Sequence, residues 1–357
     1  MQRYPRFRAC AAHVAPVFLD ADRTIDKATA LIAEAAGKGA QLVAFPESFV
    51  PGFPLWAALQ APIRGHDLFR RLAAQSVKVP GPEVLRLCLA ARRHGVHVSI
   101  GISEATDASV GCLWNTNLLI GPDGGLLNVH RKLVPTFFEK LIWANGDAAG
   151  LRVTATGIGR IGMLICGENT NPLARFALMA QGEQVHVSTY PPTWPTREPS
   201  EAGRYDLAQA IRVRAGAHAF EAKVFNVVSA AHLDATAEAA LAPLGTDAIR
   251  ILRETPGGVS MILGPNAELI GDTCSGEEGL VYADLDLALC VEPKQFHDVV
   301  GYYNRFDIFH LSMDARRTEP LALQGQGEGP PRRYSLSEIE RHVQAGERSP
   351  DPDRALA

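Results

Sequence analysis

Arg160-Ile161-Gly162-Met163-Leu164-Ile165-Cys166-Gly167-Glu168-Asn169-Thr170-Asn171-Pro172 is the stretch from which the fold can be read. An apolar run of strand character ends on a thiol, a tight turn follows, and Thr170 or Asn171 is placed to cap a helix with Pro172 in its first turn. Leu173, Phe176, Ala177 and Ala180 then form a helical stripe, Gly182 stops it, and 185–189 reads as the next strand. A thiol at such a turn is expected to project into solvent beside unpaired helix N–H groups, which favour its thiolate.

The same punctuation recurs upstream. Ile25, Ala28, Leu31, Ile32 and Ala35 share a helical face, Gly37 and Gly39 close it, and 41–45 reads as a buried strand with Glu47 directly after it. Residues 82–94 read as helix, Gly95 breaks it, and 96–100 is a strand ending at Gly101. Strands 116–120 and 126–130 are joined by Pro122-Asp123-Gly124-Gly125 into a hairpin, with Lys132 just beyond. A second hairpin, 151–156 with 160–165, turns at Gly157-Ile158-Gly159. Downstream come a helix over 205–222, a strand over 225–229 and a late hairpin from 260–263 to 269–270. Alternating elements of this kind specify an α/β protein, and no short tandem repeat indicates a solenoid.

With 357 residues, 46% of them apolar, the chain can bury a large core. A formal charge of −4 and the lack of a long Lys/Arg block point away from nucleic acid and membrane surfaces, towards small molecules or further copies of the chain. No run of roughly 18–20 apolar residues suggests a membrane span. Cys10, Cys88, Cys112, Cys166, Cys274 and Cys290 show no C-x-x-C and no close pairing, which fits a reducing cytoplasm and neither a disulfide framework nor a zinc site. Beyond about Leu323 the composition shifts. Gly325, Gly327, Gly329, Pro330 and Pro331 read as flexible, Ser335-x-x-Glu338 as a capping box for a short helix, and Ser349–Ala357 as disordered. Residues 1–310 are expected to form the main domain. Residues 311–357 are expected to be a partly disordered extension outside the core, with assembly as its candidate role.

Two apparent signals dissolve on inspection. Gly157-Ile158-Gly159-Arg160-Ile161-Gly162 matches G-x-G-x-x-G, yet it lies between strands and opens no helix, so a dinucleotide site is not implied. His13, His94, His97, His130, His186 and His218 show no H-E-x-x-H or other ligand spacing, and neither a metal nor another cofactor is expected.

Glu47, Lys132 and Cys166 each follow an apolar strand directly. A lone Glu or Lys there is ordinarily a solvated strand end. Their joint occurrence, in the motifs Phe45-Pro46-Glu47-Ser48-Phe49, His130-Arg131-Lys132-Leu133-Val134-Pro135-Thr136 and Ile165-Cys166-Gly167-Glu168-Asn169, resembles the nitrilase superfamily with its Glu-Lys-Cys triad. The resemblance covers roughly the first 310 residues, and Pro135-Thr136-Phe137-Phe138-Glu139-Lys140 is similar to the segment carrying the family's second glutamate. His297-Asp298-Val299-Val300-Gly301-Tyr302-Tyr303-Asn304-Arg305 also looks like a nitrilase landmark.

The resemblance implies an α-β-β-α sandwich, two packed mixed sheets flanked by helices, that pairs into homodimers and extends into spirals. It also implies hydrolysis of an organic nitrile to acid and ammonia through a cysteine thioimidate and thioester, without metal or cofactor. Glu47 would be the base, Lys132 and the Gly167 N–H the stabilisers of developing negative charge, and Glu139 the residue orienting Lys132 or water. For Glu47 to cycle between base and acid, burial must raise its pKa towards neutrality.

Nitrilases commonly carry Trp and then Glu after the cysteine. Here the pair is Gly167-Glu168, which keeps the glutamate and removes bulk beside the nucleophile. Phe53, Trp56, Phe137, Tyr190 and Trp194 are candidates to line an apolar pocket for aliphatic or arylaliphatic nitriles. An amidase or carbamoylase, or a nitrile-to-amide hydratase, would use the same residues, and a non-catalytic assembly protein would keep only the fold.

Overall fold

Alternation along the first strand, β1 (Arg6–His13), divides the molecule into layers. Phe7, Ala9 and Ala11 point into one buried cluster, Cys10 and Ala12 into another, because successive strand residues face opposite sides of a sheet. The computed structural model describes residues 4–317 and 333–347. The glycine- and proline-rich stretch at 325–331 and the segment 349–357, both read as disordered from sequence, lie outside the described residues.

The remaining strands are β2 (Ala40–Ala44), β3 (Val77–Lys78), β4 (His97–Ala105), β5 (Trp114–Ile120), β6 (Leu126–Arg131), β7 (Thr154–Thr156), β8 (Gly159–Ile165), β9 (Val185–Tyr190), β10 (Phe225–Ala230), β11 (Met261–Leu263) and β12 (Gly279–Asp286). One sheet runs β12-β1-β2-β4-β5-β6, with β3 against the end of β4, and the other runs β11-β10-β9-β8-β7. Both are mixed. β1, β2 and β4 are parallel neighbours, as are β8, β9 and β10, β3 runs parallel to β4, and β12, β5, β6, β7 and β11 pair antiparallel.

Between the sheets lie Ala9, Ala11, Leu42 and Ala44 from one side and Met163, Val185, Val187, Phe225 and Val227 from the other. On the outer face of the first sheet pack α1 (Ala21–Gly37) and α2 (Pro82–His94), whose stripes Ile25-Ala28-Ile32 and Val84-Leu87-Ala91 are buried there. Asp20 caps α1 by accepting from the Arg23 N–H, and Gly95, at φ 64°, ends α2 in the left-handed conformation that glycine adopts without strain. Outside the second sheet lie α3 (Pro172–Ala180), capped by Asn171, and α4 (Leu207–Ala222), capped by Asp206. Ile211, Ala215 and Ala219 of α4 pack on Val228 and Ala230. The result is the α-β-β-α sandwich.

Some boundaries differ from the sequence reading. β4 continues past Gly101 to Ala105, because the glycine makes room for a neighbouring loop rather than ending the strand. The strand read over 151–156 shortens to β7, residues 148–150 forming a 3-10 turn. α5 (Leu336–Glu347) follows Tyr334, which pairs with Leu126 at the start of β6, and its Leu336 and Ile339 are buried in the cluster that holds α1 and α2. That part of the C-terminal extension is packed on the body. No helix among the described residues is long and apolar enough to cross a membrane.

Candidate active site

Three strand ends converge. Glu47 follows β2, Lys132 follows β6 and Cys166 follows β8, so the two sheets bring together residues far apart in sequence. Lys132 Nζ lies 2.7 Å from Glu47 Oε1 and 2.5 Å from Glu139 Oε2. One ligating atom of each of Glu47, Glu139 and Cys166 falls within 4.8 Å of the others, and all three residues are buried. Glu139 sits on the 3-10 turn Phe137–Leu141, where its Oε2 also accepts from the Thr136 backbone N–H at 3.0 Å.

The backbone is shaped for this convergence. Cys166 has φ 47° and Ser48 φ 46°, a left-handed conformation uncommon outside glycine, so each chain turns sharply as it leaves its strand. A Cβ on Gly101 would collide with the Pro46 carbonyl oxygen and the Ser48 nitrogen, so only glycine lets the Glu47 loop lie against β4. Gly101 N–H donates to Pro46 O at 3.2 Å and Val50 N–H to Gly101 O at 3.1 Å. Asn115, at the start of β5, donates from Nδ2 to Glu47 Oε1 at 2.7 Å, and its carbonyl accepts from Lys132 N–H at 2.7 Å. Neither Asn115 nor the role of Gly101 was drawn from sequence. A glycine inside an apolar strand and an amide opening one were the available signals.

Glu168 is a fastener. Its carboxylate accepts from His130 Nε2 at 2.9 Å, Leu133 N–H at 2.6 Å and Ile165 N–H at 2.8 Å, locking the Lys132 segment to the Cys166 turn. Burial alone would raise its pKa, but His130 and the two amides outweigh that and hold it below the ordinary carboxylate value. Gly167 touches Thr136: a Cβ there would lie 2.6 Å from Thr136 Oγ1.

Protonation differs from the expectation at the thiol. Cys166 is 4% exposed, not projecting into solvent, and it starts a 3-10 turn while α3 begins only at Pro172. Burial and the charge of Glu47 push its pKa well above the free value, with Lys132 opposing. The resting group is the neutral thiol. Burial likewise raises Glu47, Lys132 opposing and Glu139 adding to the shift. Lys132 keeps its proton, since two carboxylates overcome the burial that would remove it.

The aromatic candidates separate. Phe53 lines an opening beside Glu47 together with Phe49, Pro192 and His232. Trp56 is buried against Phe18 and lines a different recess near Gln60 and Phe69. Phe137 is 64% exposed, whereas Tyr190 is fully buried in the cluster containing Cys166. Trp194 stands between, its ring centroid 5.5 Å from Phe138 and 5.1 Å from Tyr205.

The sequence model for the family described as carbon-nitrogen hydrolase matches residues 8–295. The chain belongs to that family, in its nitrilase branch. It is 38% identical over 315 residues to a nitrilase of Paraburkholderia phymatum, covering 88% of each chain. To an aliphatic nitrilase of Rhodococcus rhodochrous it is 36% identical over 317 residues, 88% of this chain and 84% of the relative. Its fold matches a carbon-nitrogen hydrolase of Helicobacter pylori with TM-score 0.63 at 18% identity, over 83% of this chain and 94% of that one. This family member is a hydrolase acting on carbon–nitrogen bonds, and the cluster brings together a thiol, an ammonium and two carboxyl groups.

Proposed function

We propose that the protein is a nitrilase that converts an aliphatic or arylaliphatic nitrile to its carboxylic acid and ammonia. The observation that carries this reading is the buried convergence of the Cys166 thiol, the Lys132 ammonium and the Glu47 and Glu139 carboxylates. Glu47 takes the thiol proton as sulfur adds to the nitrile carbon, and the proton passes on to nitrogen, leaving a thioimidate. Lys132, with the Gly167 N–H, stabilises the negative charge that builds on nitrogen and later on oxygen. Water activated by Glu47 adds to the thioimidate, ammonia leaves, and a second water cleaves the thioester, restoring the thiol. Glu139 holds the ammonium in place. A neutral resting thiol suits this scheme, because proton transfer then accompanies attack rather than preceding it.

Residues 1–310 form the catalytic unit in this reading. Copies of the chain associate through outer-helix surfaces, where Leu173 of α3 and Val213 and Phe220 of α4 are exposed apolar residues. The deciding experiment incubates the enzyme with matched nitriles and amides and measures ammonia together with acid or amide. Acid and equimolar ammonia from nitriles, plus a Cys166 adduct in mass spectra that vanishes in Cys166→Ala, are expected. Amide turnover alone would replace nitrilase with amidase.

A further inference from the structure

Four polar groups near Cys166 take no part in the chemistry just described. Tyr190 ends β9, the parallel neighbour of β8, and is fully buried in the cluster that contains Ile165 and Cys166. Trp194 Nε1 has no hydrogen-bond partner among the described residues, the Tyr190 hydroxyl has none of good geometry, with Ser188 the nearest candidate, and the Tyr205 hydroxyl lies against the Arg214 guanidinium. Arg214 of α4 donates from Nε to Thr170 Oγ1 at 2.7 Å, four residues beyond the nucleophile, and its guanidinium carbon lies 5.9 Å from the Tyr205 ring centroid. No carboxylate among the described residues is within ion-pair distance of Arg214.

These contacts form a wall. From Cys166 it runs through Thr170, Arg214 and Tyr205 to Trp194, and through Phe138 back to Glu139. Its indole N–H and guanidinium only donate, and its phenolic hydroxyls can donate as well as accept. A buried donor without an acceptor, such as Trp194 Nε1, is costly, so its position beside Cys166 and a guanidinium that faces no carboxylate calls for an acceptor brought by the ligand. A cation among them selects an anionic acceptor, and the planar fork of arginine matches a carboxylate.

We propose that this wall is the subsite for a carboxylate on the organic part of the substrate, so that the enzyme acts on cyano-carboxylic acids. The proposal rests on the nitrilase reading for its reacting group and on the wall alone for its charge. Arg214 is the specificity-determining residue, and Tyr190, Trp194 and Tyr205 share the carboxylate oxygens or the carbonyl next to them.

The test compares 4-cyanobutanoate with its methyl ester, which keeps the chain and removes the charge. Wild-type enzyme is expected to favour the acid by about 30-fold or more in kcat/KM. Arg214→Gln should collapse the acid-to-ester ratio of kcat/KM to about 1, the acid losing far more than the ester, and Arg214→Lys should restore part of the ratio. Equal wild-type rates on the pair, or an equal loss on both substrates in Arg214→Gln, would overturn the subsite. If only amides are turned over, the nitrilase reading fails, and the same ratio measured on 4-carbamoylbutanoate and its methyl ester still decides the carboxylate site. Glutarate binding to Cys166→Ala, measured by calorimetry, reads the subsite without turnover. A loss of about tenfold or more with Arg214→Gln supports it, and unchanged affinity refutes it.

Discussion

Two buried acidic clusters are partnered in opposite ways. In the first, Lys132 bridges Glu47 and Glu139 beside Cys166, while Glu47 Oε2 and Glu139 Oε1 have no partner among the described residues. In the second, Glu183 meets His186 Nδ1 at 2.7 Å and His218 Nε2 at 2.6 Å, so both its oxygens are engaged, and the two imidazoles stack at 3.6 Å. Gly162 leaves the space this carboxylate fills, since a Cβ there would collide with Glu183 Oε1. His186 Nε2 in turn meets Asn169 Oδ1 at 3.0 Å, and Asn169 Nδ2 donates to the carbonyls of Leu164 and Cys166. The second cluster is thus the footing of the nucleophile's turn. What differs is that the first cluster keeps carboxylate oxygens unpartnered beside a thiol, whereas the second has none to spare.

Removing one oxygen's charge from each cluster should separate these roles. Glu47→Gln is expected to lower kcat/KM by about 10²–10⁴-fold with little change in melting temperature, because it removes the proton acceptor and keeps the shape. Glu183→Gln is expected to do the reverse. It puts a neutral amide where the buried carboxylate meets both imidazoles, costing about 1–3 kcal/mol of folding stability, while turnover per folded molecule stays within about threefold. Thermal melts combined with active-site titration measure both, and a dead but fully folded Glu183→Gln would erase the distinction.

Acid should likewise act on the two clusters in different windows. Burial pushes Glu47 up to about 7, so its basic form, and with it kcat/KM, should fall about tenfold per pH unit below that value. Glu183 is moved the other way: burial opposes, but His186 and His218 prevail and lower it to about 2. A depressed carboxylate contributes stability that is complete above its unfolded pKa of about 4.5 and is lost as pH falls towards 2, here roughly 3 kcal/mol. Between pH 7 and 5 the enzyme should therefore lose activity and keep its fold. Denaturant titrations at each pH give the second quantity, and parallel loss of both would show that Glu47 does not set the limb.

The convergence of Glu47, Lys132 and Cys166 was legible because each follows an apolar strand, and strand ends are where an α/β sheet presents side chains. Their partners were not. Asn115 reaches Glu47 across 68 residues of sequence, and nothing local in Trp114-Asn115-Thr116 marks that contact. Histidine spacing gave no reason to join His186 with His218, since what unites them is the adjacency of β9 and α4. The thiol was misjudged for a related reason. Sequence reveals a turn before a helix, whereas the pKa follows from burial, which only the packed structure supplies.

The mildest perturbation concerns Gly167, which stands where nitrilases commonly carry tryptophan. Gly167→Ala places a methyl group 2.6 Å from Thr136 Oγ1, too close to be tolerated without movement. Thr136 can yield, but it precedes the turn that carries Glu139, and its backbone N–H holds Glu139 Oε2. The displacement should pass to Lys132 and reduce kcat/KM about fivefold, with little effect on stability. Thr136→Ala removes the obstructing hydroxyl, so in the double variant the second substitution should cost almost nothing. The resulting non-additivity is about 1 kcal/mol in transition-state stabilisation. Strictly additive losses would mean that Gly167 matters for the substrate's own shape, and that the contact with Thr136 is incidental.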